Sequence, residues 1–257
     1  MVALTTGMGV KTGGTHNAMT KKDAKCFNFD GVDEYVDTGI SGNELMVNDE
    51  ITIAAWVRLT SGQTASQFIC GGEEGPVDAI YFYVSSSGYV VFFCSSDTGD
   101  ETGGVPVAQV SAGDTGWFFA AGKLDNDLGY SSLNGSDWRN TVDNGFVNGD
   151  FSANEDMFIG SKNDDGTAEN FLEGKISSVM FFNKALSQEE LNDLYSGGRL
   201  GEIHPKYAGV DSNLLARYRM GDEASDTNTV LVDASGNGNT GAVESMESGD
   251  LVVDSQA

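Results

Sequence analysis

Residues 51–59 read Ile51-Thr52-Ile53-Ala54-Ala55-Trp56-Val57-Arg58-Leu59. A period of two places Ile51, Ile53, Ala55, Val57 and Leu59 on one face, which predicts a β-strand turned toward a core. Outward from this strand, short apolar runs recur in both directions. CFNF (26–29) leads through a turn at Asp30-Gly31 to YVDTG. On the other side come SQFIC, AIYFYV, YVVFFC, VPVAQV and GWFFAAGKL, then a hairpin around LNGSDW (133–138), DMFIGS (156–161) and KISSVMFFN (175–183). Clusters of Gly, Asp, Asn and Ser separate the runs. Strands of this kind must cover one another's apolar faces, and two packed sheets do so. Trp56, with Ala neighbours, and Trp117, beside Phe118 and Phe119, read as core residues.

One helix is predicted within 186–198. Ser187 followed by Glu190 forms a capping box, Leu191, Leu194 and Tyr195 make one apolar stripe, and Gly197-Gly198 ends it. A further β segment, LLARYRM (214–220), precedes a tail rich in Gly, Asn and Asp with two short strands. The expected fold is therefore all-β, a jelly-roll sandwich of two antiparallel sheets with one short helix near 187–196.

The chain has 257 residues with 34 Gly and only 3 Pro, and this length buries a sizeable core without disulfides or metals. Cys26, Cys70 and Cys94 lie in or beside apolar runs and form no CxxC pair. Buried free thiols are expected, the alternative being one disulfide with a thiol left over. Fourteen Lys and Arg against 39 Asp and Glu give a net charge of −25. Such a body repels phosphate backbones and anionic membranes, so neither nucleic-acid binding nor membrane insertion is expected. No apolar stretch approaches a membrane span.

The charge is uneven. Residues 1–25 carry Lys11, Lys21, Lys22 and Lys25 against Asp23 alone. The division expected is an extended basic arm over 1–25 and a jelly roll over 26–257. Within the latter, 26–200 form the main body and 201–257 supply the strands and loops that close it. The segment MVALTTGMGVKTGG has no charged region leading into an apolar one, so no signal peptide is expected.

The order FNFDGVDEYVDTG, ITIAAWVRL, FLEGKISSVMFFNKALSQEELNDLYSGG resembles the laminin-G-like jelly-roll family, also called concanavalin-A-like lectin/glucanase domains. The likeness covers roughly residues 26–200. The tail element Asp233-Ala-Ser-Gly-Asn-Gly-Asn is similar to one that accompanies the first strands of such domains. Here it comes last, as if the tail were to lie beside the opening strands. Glucanases on this fold carry E-x-D-x-E or E-x-D-x-x-E on one strand face, which sets carboxylates about a glycosidic bond. No Glu in this chain is followed two residues later by Asp. His16 and His204 stand beside no nucleophile motif. No enzyme activity and no required cofactor are expected.

Relatives on this fold hold Ca²⁺ in rim loops, and Ca²⁺ takes six to eight oxygens. Two clusters have that composition, and each is equally the composition of a turn. One is Asn163, Asp164 and Asp165 joined by Asp30 and Asp33. The other is Asp233, Ser235 and Asn237 with Glu244, whose spacing imitates an EF-hand loop without flanking helices. Trp138, in the polar stretch SDWRN, is the candidate for stacking on a glycan, or it covers a hairpin end.

The function expected first is a structural protein of a bacteriophage virion, decorating the capsid or tail. Its partners would be other virion proteins or copies of itself, gripped through the arm. The alternative is a carbohydrate-binding module or lectin for host or environmental glycans, placed outside the cell by another route. A hydrolase with scattered carboxylates is the third reading.

Overall fold

A computed structural model of the chain describes residues 25–46, 49–60, 64–75, 78–96, 98–105, 108–111, 113–146, 154–198 and 212–254. Two sheets face each other. The smaller, of seven strands, runs β18 (Leu251–Val253), β1 (Lys25–Asp30), β14 (Glu173–Phe182), β3 (Glu50–Leu59), β8 (Phe118–Asp125), β9 (Leu128–Leu133). In it β1 pairs with the first half of β14 and β15 (Leu214–Tyr218) with the second.

The larger sheet has eleven strands. Its path is β10 (Val142–Asp143), β7 (Glu101–Gly104), β6 (Val90–Ser95), β5 (Asp78–Val84), β4 (Gln67–Glu74), β11 (Asp156–Ile159), β2 (Tyr35–Ser41), β17 (Gly241–Glu244), β16 (Val230–Leu231). A hairpin of β12 (Lys162–Asp164) and β13 (Thr167–Glu169) joins β4 through β12. All pairings are antiparallel except β12 with β4. This is the jelly-roll sandwich expected from the sequence.

The residues assigned to the inner face of 51–59 are all buried in the main core, opposite Ile80, Phe82 and Phe92 of the larger sheet. Gly122 on β8 makes that closeness possible: a Cβ there would stand 2.4 Å from the ring of Phe92. Trp56 differs from expectation. As an even-numbered position it faces out of the smaller sheet, where Ala54, Phe119, Ala121, Met180 and Phe182 form a second cluster. The helix α2 (Gln188–Gly197) closes over this cluster with buried Leu191 and Leu194. Ser187 caps it as expected: its side chain accepts from the Glu190 N–H, and the Glu190 carboxylate accepts the Ser187 N–H at 2.8 Å. Each buried Leu contributes about 1.5–3 kcal/mol. Trp117 is half-buried rather than a core residue.

A second helix, α1 (Gly42–Leu45), was not foreseen. At one turn it is too short for an apolar stripe, although Ser41 and Glu44 form a capping box of the same kind. The tail lies where its rearranged order placed it, with β17 beside β2 and β18 beside β1. Cys26, Cys70 and Cys94 are buried thiols that form no disulfide among the described residues.

Candidate functional site

β5 and β6 are apolar on both faces. Ile80, Phe82 and Val84, with Val90, Phe92 and Cys94, point into the core. Their alternates Tyr81, Tyr83, Val91 and Phe93 therefore face out of the larger sheet, and all four are partly exposed. On β4 the register shifts between Phe68 and Cys70, so that Ile69 and Cys70 both enter the core and Phe68 joins the outer face.

The outer rings make a connected platform. Phe68 stacks on Tyr83 at 5.0 Å between centroids and meets Tyr81 edge-on at 5.4 Å. Tyr81 stacks on Phe93 at 5.9 Å. Gly71 leaves room for this, since a Cβ there would crowd the Phe68 ring at 3.2 Å. Across β11, Phe158 pairs with Gly71 and stacks on Tyr35 at 4.6 Å.

Charged groups frame the rings. The Lys162 ammonium lies 5.6 Å above the Tyr81 ring, 2.5 Å from Glu73 and 3.1 Å from Asp164. Burial works against that ammonium, but its bonds to Glu73 and Asp164 outweigh burial and hold its pKa above the ordinary lysine value. Burial, and then a hydrogen bond to Glu73, push the Tyr81 hydroxyl up, so it stays a neutral phenol. Tyr35 is raised by burial and by the charges of Glu244 and Asp37. Asp156 is likewise raised by burial and by Asp37, Glu44 and Glu155. Flat rings that accept an apolar face, bordered by carboxylates that accept hydroxyl protons, suit a sugar.

A model of the concanavalin A-like lectin/glucanases superfamily matches residues 30–192, well over half of the chain. The chain belongs to that superfamily. Among solved structures, the CBM40 domain of a Ruminococcus gnavus sialidase aligns at 16% identity with a TM-score of 0.52. That alignment covers 66% of this chain and 97% of that one, and the same domain is known bound to α2,3-sialyllactose. A Bacteroides ovatus protein described as carbohydrate binding aligns at 17% identity and TM-score 0.57, over 88% of this chain and 59% of the other. A heptameric pentraxin from Limulus polyphemus aligns at 12% and 0.55, over 91% and 98%. At such identities the likeness is one of fold. No curated protein sequence matches.

Several oxygens of the first Asp/Asn cluster have hydrogen-bond or ion-pair partners. Asp165 and Gly166 both take positive φ, 47° and 83°, and form the two-residue turn of the β12–β13 hairpin. Asp165 Oδ1 accepts the Gly75 N–H at 2.8 Å, Asn163 Oδ1 accepts that of Gly166 at 2.8 Å, and Asp164 pairs with Lys162. Asp30 accepts the Val32 N–H at 2.8 Å, and its own N–H donates to Glu34. Asp33 is exposed in the same β1–β2 turn.

The other cluster is a clasp for β15. Both Asp233 oxygens accept: Oδ1 from the N–H groups of Arg217 (3.0 Å) and Ser235 (2.8 Å), Oδ2 from the Ser235 hydroxyl (2.7 Å) and the Asn239 N–H (3.1 Å). Asn237 donates to the Leu214 carbonyl at 2.7 Å. Glu244 stands apart on β17, opposite Tyr35. Among the described residues, no three His, Cys, Asp or Glu gather as a metal-holding group.

Trp138 is half-buried against the second cluster, with the Lys123 ammonium 5.2 Å from its ring. It lines an open hollow of about 560 Å³ with Ala108, Ser136, Asp137, Arg139 and Asn140. A smaller hollow of about 250 Å³ at the rim is lined by Ile40, Glu44, Asn183, Leu215 and Asn239. His16, His204 and arm residues 1–24 lie outside the described residues.

Proposed function

We propose that this protein is a non-catalytic carbohydrate-binding module, and that the aromatic outer face of its larger sheet holds the glycan. The observation that carries this reading is the connected set Phe68, Tyr81, Tyr83 and Phe93, apolar side chains on the outer face of strands whose inner face already fills the core. A partly exposed aromatic platform in a soluble acidic sheet serves as a recognition surface. Family membership and the carbohydrate-binding neighbours support the same reading.

Binding without hydrolysis is argued from the carboxylates. In most glycoside hydrolases, cleavage of a glycosidic bond uses one protonated and one ionised carboxyl group about the bond. Glu73, the acid nearest the platform rings, is engaged by Lys162 and Tyr81. Attachment to a phage particle through residues 1–25 is a separate proposal that rests on the sequence alone, and the comparisons favour the glycan-binding reading.

A glycan array probed with the full chain tests the reading, followed by calorimetry on the strongest hit. Tyr83→Ala should weaken that hit severalfold, since stacking on one ring contributes about 0.5–1.5 kcal/mol beyond area burial. Trp138→Ala should leave it unchanged. Undiminished binding by Tyr83→Ala would remove the platform as the site.

A further inference from the structure

We infer that the aromatic face selects neutral sugars and rejects those that carry a carboxylate. The inference rests on the reading of that face as the glycan site and adds the chemical class of the ligand.

The argument begins with where the cations went. Lys162 is the one Lys or Arg in the eleven strands of the larger sheet, whereas strands of the smaller sheet carry Lys25, Arg58, Lys123, Lys175 and Arg217. Among the described strand residues, an anionic sugar arriving on the larger sheet therefore has a single cation to meet. That cation is taken. Its ammonium is bonded to Glu73 at 2.5 Å and Asp164 at 3.1 Å, has Glu169 at 3.9 Å, and sits above the Tyr81 ring. Both Lys162 and Glu73 side chains are nearly buried, at 11% and 13% exposure, so the pair is not free to open toward a ligand.

Three carboxylates around one ammonium leave the local charge negative. Asp37 and Glu244 add to it beside Tyr35, and Asp37, Glu44 and Glu155 stand near Asp156 at the end of β11, where burial first and these charges second raise its pKa. A sugar carboxylate placed on these rings gains no ion pair and meets like charge at short range. A neutral sugar meets none of that penalty. Its C–H face covers the rings, and its hydroxyls donate to carboxylates, which are stronger acceptors than neutral groups. This sets the chain apart from its neighbour of known structure that binds sialyllactose.

The test is calorimetry on the full chain with pairs of probes that share a backbone and differ in charge. Lactose against 3′-sialyllactose is one pair, and methyl-esterified against free oligogalacturonides is another. For any pair whose neutral member binds, the acidic member should bind at least tenfold more weakly at low ionic strength. The gap should narrow in 1 M salt, where the Debye length falls to about 3 Å. Glu73→Gln should narrow it too, by freeing Lys162 for the ligand. Glu169→Gln, at a half-exposed position, gives the same direction with less effect should the first variant fold poorly. An acidic member that binds as tightly as its neutral partner, and loses binding in Tyr83→Ala, would overturn the selectivity while leaving the site in place. Glycan binding indifferent to Tyr83→Ala, or no binding by any probe, would overturn both.

Discussion

The two sheets of this sandwich have the same inner face and opposite outer faces. Outside the smaller sheet, Trp56, Phe119 and Phe182 are sealed by Leu191 and Leu194 of α2, and Tyr195 stacks on Trp56 at 5.8 Å. Outside the larger sheet, Tyr81, Tyr83, Val91 and Phe93 stay partly exposed. Apolar residues on the outside of a sheet are thus used twice, once as the floor of a third layer and once as a surface. The charges divide unevenly along the same line: strands of the covered sheet carry five cations and four acids, those of the open one a single cation and ten acids. The proposed glycan site lies on the face that folding left unsealed.

The largest effect that separates the faces is on stability. Leu191→Ala should cost about 2–5 kcal/mol, as for any truncation in a packed cluster, measured by denaturant unfolding. Tyr83→Ala should cost about 1 kcal/mol or less, the scale of a cross-strand pair. Equal losses would mean that the aromatic face is a covered layer like the other, and the comparison would break.

How far the sequence carries these conclusions differs between the faces. Ile51 through Leu59 state their inner face by alternation, and the Ser187–Glu190 box states the helix, so the sandwich and its lid were legible. The tail's docking beside β1 and β2 was legible from its displaced order. Trp56 was misplaced because its neighbours Ala54 and Ala55 give no sign of which face is which; its even position does. The platform was missed although its signal is plain. AIYFYV and YVVFFC are apolar at every position, and an antiparallel strand apolar on both faces needs a second cover or a ligand. Trp138 stands out as a lone Trp in a polar stretch, and its ring rests against the covered cluster beside an open hollow. The Asp/Asn clusters have a composition that tight turns and oxygen-rich Ca²⁺ loops share.

A smaller effect sharpens the seam where the chain passes from one sheet to the other. Glu34, 5% exposed in the β1–β2 turn, is pushed up to about 7 by burial and by the charges of Asp30 and Asp250, against a backbone bond from Asp30 that lowers it. Its folded pKa lies above its unfolded one. Its contribution is therefore fully present below the ordinary carboxylate range and is lost as pH rises through 7. Glu34→Gln should raise Tm at pH 8 by about 4 °C or less and leave it unchanged at pH 4. Melting curves in which wild type and variant fall in parallel between pH 5 and 8 would remove Glu34 from that slope.

The central claim is that the unsealed face is the binding face, and NMR shift mapping tests it most directly. Titrating the isotope-labelled full chain with the best neutral oligosaccharide should move amides of β4, β5 and β6 around Phe68, Tyr81, Tyr83 and Phe93. Residues 136–140 and 233–239 should stay still. Shifts confined to the Trp138 hairpin or to the Asp233 loop, with the aromatic strands unmoved, would contradict the account.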